Sequence, residues 1–390
     1  MLPAKRMSKI PPSSTLKILR LAKELERSGK RILHLEVGEP DFDTPEHIKR
    51  AAEEALRKGM TKYTPSPGLP QLREKIAEKL GEEKGVDLKQ ENIIVTPGAK
   101  HAIFCALVSI LDPEDEIIIP SPCWTYEAIV LVAGGKPVFL RTKEDEGFVP
   151  KPEDLERKIT KKTKAILLNY PSNPTGAIID RSALEDILLI AKKEKLWIIS
   201  DEIYEKLTYE KRSASIFDFP DCLDRSVYIS GFSKTYAMTG WRLGYAVAPA
   251  NLISEMIKIQ EATTSCVPGF VQMAGIAALD GPQDFVEKMR KEYWTRRDLS
   301  VYLLNSIEGV SCRKPGGAFY AFPNMREIGT ASVEFCERLL QEEGVAAVPG
   351  SGFGPGGEGH LRISFATSPD VIREGIEKIK SLVERIRKEK

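Results

Sequence analysis

The sequence predicts an α/β protein: a large domain with a mostly parallel seven-stranded sheet flanked by helices, plus a smaller α+β domain formed by the N-terminal arm and the C-terminal part. Three observations lead there. Short apolar runs alternate with helical patterns from residue 43 to about 282, the expected trace of parallel strands covered by helices on both faces. Past Gly281 the rhythm changes to a long helical stretch, short strands and two further helices. The 390 residues also exceed what one ordinary core fills, so two domains is the expectation from length. We therefore place an arm and helix at 1–42, packing with the small domain, the large domain at 43–282 and the small C-terminal domain at 283–390.

The elements follow in order. Residues 1–14 form a basic arm containing proline, and 15–27 carry apolar residues at helical spacing (Leu16, Leu19, Leu25) that stop at Gly29, a suitable C-terminal cap. Strands are expected at 92–96, 116–119, 137–140, 165–169, 196–201, 226–230 and 245–248, with helices such as 100–111 and 181–195 between them. The tail reads as a helix over 283–307, strands near 310–312 and 318–322, a helix over 332–343, and strands over 345–348 and 360–366. Ser368-Pro369-Asp370 opens the last helix, with serine as N-cap and proline at the first helical position.

Composition narrows the function. The 57 Lys+Arg nearly equal the 56 Asp+Glu, which leaves no basic footprint for nucleic acid. No apolar stretch approaches the roughly 18 residues of a membrane span, and no apolar core follows the basic N-terminus, so no membrane partner and a cytoplasmic location are expected. The six cysteines are widely spaced without a C-x-x-C pair, and the four histidines complete no zinc set with them, so no metal is expected. Only six Asn and six Gln stand beside abundant Lys and Glu, a balance that points toward a heat-adapted source.

In an open parallel sheet, ligands bind beyond the carboxyl ends of the strands. The strand at 92–96 runs into Pro97-Gly98-Ala99-Lys100 and a helix, where backbone N–H groups favour a phosphate. The strand at 165–169 ends in Asn169-Tyr170-Pro171-Ser172-Asn173, the strand at 196–201 in Asp201-Glu202-Ile203-Tyr204, and the strand at 226–230 in Gly231-Phe232-Ser233-Lys234. Singly, each is an ordinary turn, cap or solvated lysine. Together they bring a carboxylate, an amide, a phenol, a lysine and an arginine, Arg242, to one rim of one sheet. A lysine near cations in a water-poor place can lose its proton and form a Schiff base. A buried Asp can pair with a protonated ring nitrogen, phenol and amide can hold a ring oxygen, and glycine N–H groups with Arg242 can hold a phosphate. That set suits pyridoxal 5′-phosphate, a cofactor that acts as an electron sink.

The run Gly231-Phe232-Ser233-Lys234-Thr235-Tyr236-Ala237-Met238-Thr239-Gly240-Trp241-Arg242-Leu243-Gly244 closely resembles the lysine signature of class I pyridoxal-phosphate aminotransferases, of the aspartate/aromatic aminotransferase family. Val37-Gly38-Glu39-Pro40-Asp41-Phe42, Lys62-Tyr63, Asn173-Pro174-Thr175-Gly176, Ser200-Asp201-Glu202-Ile203-Tyr204 and His360-Leu361-Arg362-Ile363-Ser364 also match, in the family's order over essentially the whole chain. The resemblance implies that Lys234 is the Schiff-base lysine and then the base that moves a proton, that Asp201 partners the pyridine nitrogen, and that Asn173 and Tyr204 hold the ring hydroxyl oxygen. It implies Trp124 as the aromatic stacked on the ring, and Gly98, Ala99 and Arg242 as the phosphate clamp, with Ser233 and Lys100 also in the cofactor-binding set. Tyr63 resembles the tyrosine that reaches the neighbouring subunit's phosphate, which implies a homodimer with shared sites.

Arg362 matches the arginine that forks the substrate α-carboxylate, and alternation along its strand puts Arg362 and Ser364 on one face with Leu361, Ile363 and Phe365 on the other. Gly38 falls in the segment that approaches substrate, and Trp124 and Asn173 also belong to the substrate-binding set. Lys100 coincides with a lysine that in one bacterial and archaeal branch contacts the distal carboxylate of aspartate, and Thr15 with a threonine near the same group. Pro11 and Pro12 occupy the arm whose basic residue would sharpen acidic-substrate or prephenate recognition. The substrates expected are therefore small amino acids and 2-oxo acids, aspartate with 2-oxoglutarate first, then aromatic, alanine, prephenate or broad specificity. A β-lyase of the same fold is the alternative chemistry. The G-x-G-x-x-G pattern at Gly352-Phe353-Gly354-Pro355-Gly356-Gly357 is rejected as a dinucleotide site, because Pro355 and a following strand replace the helix it must open.

Overall fold

The computed structural model describes residues 5–10 and 14–390, the side chains of residues 5, 6 and 14–16 excepted. Pro11, Pro12 and the Thr15 side chain, invoked above for substrate choice, lie outside the described residues. Helix Ser14–Arg27 leads through Gly29, at φ 91°, to β1 (Leu33–His34).

Seven strands then build the main sheet: β2 (Ile93–Thr96), β3 (Glu116–Ser121), β4 (Lys136–Arg141), β5 (Thr163–Asn169), β6 (Trp197–Asp201), β7 (Ser226–Gly231) and β8 (Gly244–Val247), in the order β2-β8-β7-β6-β5-β3-β4. Only β8 is antiparallel to its neighbours. The strands are apolar almost without interruption because both faces are covered. Ile118, Ile166, Leu168 and Ile198 enter one buried cluster, while Ile117, Ile119, Leu167 and Ile199 enter another on the opposite face. Burying four such branched side chains per face contributes ~1.5–3 kcal/mol each, before the entropy of ordering them is subtracted.

After helix Asp284–Asn305 come β9 (Tyr320–Ala321), β10 (Val345–Ala346), β11 (Val348–Pro349) and β12 (Leu361–Ser364). β12 is central in the three-stranded sheet β11-β12-β9, and β10 pairs in parallel with β1. The third cluster joins Ile18 and Ala22 of the first helix to Phe319, Tyr320, Leu361, Ile363 and the buried stripe Ile372, Ile376, Ile379 of helix Pro369–Glu389. Ser368 caps that helix as expected, its hydroxyl accepting from the Val371 N–H at 3.3 Å. Two expectations for the tail need correction. The stretch near 310–312 is no strand, only an isolated bridge between Ser311 and Asn324. The single strand at 345–348 is two, because its halves pair with different partners, β1 and β12, on either side of Ala347. Among the described residues no helix is long and apolar enough to cross a membrane.

Candidate active site

The sheet register does the first part of the assembly. Asn169 pairs with Asp201 at the ends of β5 and β6, and Asp201 with Ile229 of β7, so two adjacent strands stop at one level and the third runs two residues further, to Gly231. A cavity of ≈ 830 Å³ opens over these ends. Lys234, Asp201, Tyr204, Asn173, Trp124, Ser233, Ala99, Lys100, Arg242, Gly38 and Arg362, all singled out in the sequence, line it together.

On its floor, Asp201 is 4% exposed. Its Oδ2 accepts from the Tyr126 hydroxyl at 2.7 Å and its Oδ1 from the Ile203 N–H at 3.2 Å. Burial raises its pKa to about 6, opposed by those two hydrogen bonds and by Lys234. Lys234 stands in a four-residue helix, Phe232–Thr235, directly after β7, and its Nζ donates to the Gly38 carbonyl at 2.6 Å. Burial lowers its pKa to about 8; Glu39 opposes the shift, and Arg362 and Arg242 add to it. Tyr204 is buried, its hydroxyl 2.9 Å from that of Tyr320, and burial pushes it well above the ordinary phenol range.

Gly98 starts helix Ala99–Ile110 at φ 84°, and a Cβ there would come within 2.5 Å of Arg242 Nη2. Glycine thus lets the guanidinium lie against the helix N-terminus, where the free N–H groups and the helix dipole favour an anion. Arg242 is oriented by the Thr239 carbonyl at 2.8 Å. Lys100 Nζ lies 4.7 Å from the Trp124 ring centre, and the Trp124 ring meets Tyr126 edge-on at 5.2 Å.

The facing wall comes from elsewhere in the chain. Arg362, 2% exposed, donates from Nη1 to Asn173 Oδ1 at 3.2 Å and from Nη2 to the Glu36 carbonyl, while its Nε has no partner. Its guanidinium lies 4.6 Å from the Tyr320 ring centre. Gly38 is close to the same tyrosine: a Cβ would fall 2.8 Å from the Tyr320 hydroxyl, so no larger residue fits without moving it. Tyr63 is different. It is 90% exposed and does not line this cavity.

Sequence reading missed Tyr126, Asn169, Tyr320 and Phe353, which also line the cavity. Tyr126 and Asn169 could have been found, since both lie where β3 and β5 end. Tyr320 gave no signal, being embedded in the apolar run Ala318-Phe319-Tyr320-Ala321-Phe322.

A half-buried amine, a buried carboxylate, an anion cradle and a guanidinium with one N–H unpartnered, all in one cavity, make a site for amine chemistry on a carboxylate substrate. Residues 30–379 match the sequence model of the family Aminotransferase class I and II. The chain belongs to this family. The chain is therefore an aminotransferase, an enzyme that transfers nitrogenous groups. It is 45% identical to the aspartate aminotransferase of Bacillus subtilis (strain 168), over 98% of this chain and 99% of the relative. Among solved structures, the aspartate aminotransferase from Thermus thermophilus with maleate superposes with a TM-score of 0.94 at 40% identity, covering 98% of this chain and 100% of that one. The aromatic aminotransferase from Pyrococcus horikoshii OT3 follows with a TM-score of 0.89 at 41% identity, covering 94% and 99%.

Proposed function

We propose that the protein is a pyridoxal 5′-phosphate-dependent aminotransferase of the cytoplasm that moves an amino group between L-aspartate and 2-oxoglutarate by a ping-pong route. The observation that carries the reading is the Lys234 amine, which follows β7 and donates to the Gly38 carbonyl in the cavity that Asp201, Arg242 and Arg362 also line.

The donor set fits the cofactor. Gly98, Ala99, Ser233 and Arg242 offer N–H, hydroxyl and guanidinium donors for a phosphate, while the buried Asp201 carboxylate suits a protonated ring nitrogen and Asn173 and Tyr204 suit a ring oxygen. Trp124 offers an aromatic face. The bound cofactor supplies an electron sink for the pair left behind at a substrate carbon. Arg362 forks the substrate α-carboxylate, using the Nε that otherwise has no partner. Lys234, deprotonated as pH rises past about 8, would take the proton from the substrate Cα onto Nζ and give it to the carbon that receives the amino group. The Gly38 carbonyl and the rings of Tyr204 and Phe319, their centres 5.9 and 5.7 Å from Nζ, limit the water that can compete for that proton.

Lys100 at the cavity mouth offers a cation to the distal carboxylate of aspartate or 2-oxoglutarate. Tyr63, exposed at 90%, is assigned to the phosphate site of a second copy, making the enzyme a homodimer with shared active sites. Within each copy, 43–282 forms the cofactor-binding domain and 1–42 with 283–390 the small domain. The test is the visible spectrum of the purified protein. A bound cofactor band should be bleached by L-aspartate and restored by 2-oxoglutarate. No band after added cofactor sinks the reading, and a band untouched by aspartate moves the donor to an aromatic amino acid or alanine. Light scattering on the same sample should give twice the 43.4 kDa chain mass.

A further inference from the structure

One titratable cluster touches the cavity wall without having entered the chemistry above. The extended run from His34 to Gly38 supplies the backbone carbonyls that accept from two of the site's cations, Glu36 O from Arg362 and Gly38 O from Lys234. The Glu36 side chain is fully buried; its Oε1 lies 2.8 Å from His34 Nδ1, and its Oε2 has no hydrogen-bond partner. His34 Nε2 lies 3.0 Å from Glu26 Oε1 on the first helix. An imidazole whose two nitrogens each face a carboxylate is an imidazolium, since both must donate. Of the other charged groups on the elements packed here, Arg31 is taken by Glu374 and Lys378 by the Glu343 carbonyl. His34 therefore faces Glu26 and Glu36, and Glu36 faces His34 and Arg362, on whose charge it acts.

We propose that His34 is a positioning residue that draws the buried Glu36 carboxylate away from Arg362, so that the guanidinium stays free for a substrate carboxylate. Glu36 Oε2 and Arg362 Nε are both buried and both without partners. Buried polar atoms in that state pair with whatever donor or acceptor is near. With His34 protonated, Glu36 is neutralised on its own side. Without it, Arg362 is left as a cation on whose charge Glu36 acts, and the two orphans would satisfy each other. The hydrogen bond to Glu36 raises the His34 pKa to about 9 against its burial, with Glu26 adding to the rise, so the imidazolium persists through neutral pH and is lost as pH rises through about 9. The inference rests on the reading that Arg362 holds the α-carboxylate.

The test compares cofactor-loaded wild type, His34→Gln and His34→Gln/Glu36→Gln at pH 7.5. The single variant should raise KM for both L-aspartate and 2-oxoglutarate by about 10-fold with kcat nearly unchanged, because every substrate carries the α-carboxylate. The double variant should bring both KM values back, since an uncharged amide in place of the Glu36 carboxylate cannot neutralise Arg362; a merely structural histidine would not show this split. In parallel, NMR titration of the His34 Cε1–H should give a midpoint of about 9, moving toward the ordinary 6.5 in Glu36→Gln. An unchanged KM in the single variant, a double variant no better than the single one, or a His34 midpoint near 6.5 overturns the inference. An inactive wild type with a His34 midpoint of about 9 instead overturns the function reading on which it stands.

Discussion

The two walls of the cavity are built in different ways. One is the edge of the sheet, where Asn169, Asp201 and Lys234 follow directly from the ends of β5, β6 and β7 and are held by ladder register. The other is assembled from the run around Glu36 and Gly38, from Tyr320 on β9 and from Arg362 on β12, parts as much as 326 residues apart that meet through the β9–β12 pairing, a ring contact and tertiary hydrogen bonds. In the function proposed above, the first wall fixes the proton-transferring group and its counter-charge on a rigid scaffold, and the second is the one assigned to the substrate carboxylate. Substitutions in the sheet wall should therefore strike turnover, and those in the facing wall should strike substrate affinity.

The largest effect tests the sheet wall. Lys234→Ala removes the amine beside Asp201 and should lower kcat by about 10⁴-fold with the fold intact, read by stopped-flow with circular dichroism as the control. Comparable turnover in the variant would remove Lys234 from the chemistry. Next comes Asp201→Asn, which separates function from stability. The Asp201 pKa is raised by burial from 3.8 to about 6, so the folded protein binds more protons than the unfolded chain between those values. Stability from this group therefore falls as pH rises through that window, and the loss persists above it. In cofactor-free protein at pH 8, asparagine should raise stability by up to ~3 kcal/mol, the gain vanishing near pH 4, while kcat drops. Urea titrations at the two pH values check it, and equal stabilities at both would show that the buried carboxylate costs nothing.

The facing wall should answer differently. Arg362→Lys keeps the charge but loses the planar fork and the Nη1 bond to Asn173. KM for amino and oxo acids alike should rise about 10- to 100-fold, with a smaller change in kcat. A change confined to kcat would place Arg362 with the sheet wall and erase the contrast.

The same contrast explains what was legible in the sequence. The rule that ligands gather at strand carboxyl ends located Asp201, Asn173 and Lys234 because each follows its strand within a few residues, so local order carries the geometry. Gly98 was legible for a related reason, the turn from β2 into a helix, whereas Arg242, in the turn before β8, was legible through its place in the family's lysine signature. Tyr320 and Glu36 were not. Each sits among apolar neighbours in a short extended run, and its role arises from pairing between β9 and β12 or from the approach of the N-terminal segment, neither of which has a local signature. The misread strand at 345–348 failed for this reason too, because nothing in Val345-Ala346-Ala347-Val348 says that two partners divide it.

The smallest effect concerns the mouth, where the walls meet. Lys100 belongs to the sheet side by position, at the start of the helix after β2, yet its proposed work is to hold substrate. The residue as a whole is exposed, but its ammonium, 4.7 Å from the Trp124 ring centre, is partly desolvated, which together with Arg242 lowers its pKa. An exposed cation of that kind is worth ~1 kcal/mol to a single carboxylate, or about a fivefold change in affinity. Lys100→Ala should therefore raise KM for aspartate and 2-oxoglutarate about fivefold and leave an aromatic or alanine donor almost unaffected, measured as the ratio of kcat/KM values on one enzyme preparation. Equal losses on every donor would mean that Lys100 serves the phosphate instead, and the choice of a dicarboxylate would then need a residue other than Arg362, whose proposed ligand is the carboxylate that all substrates share.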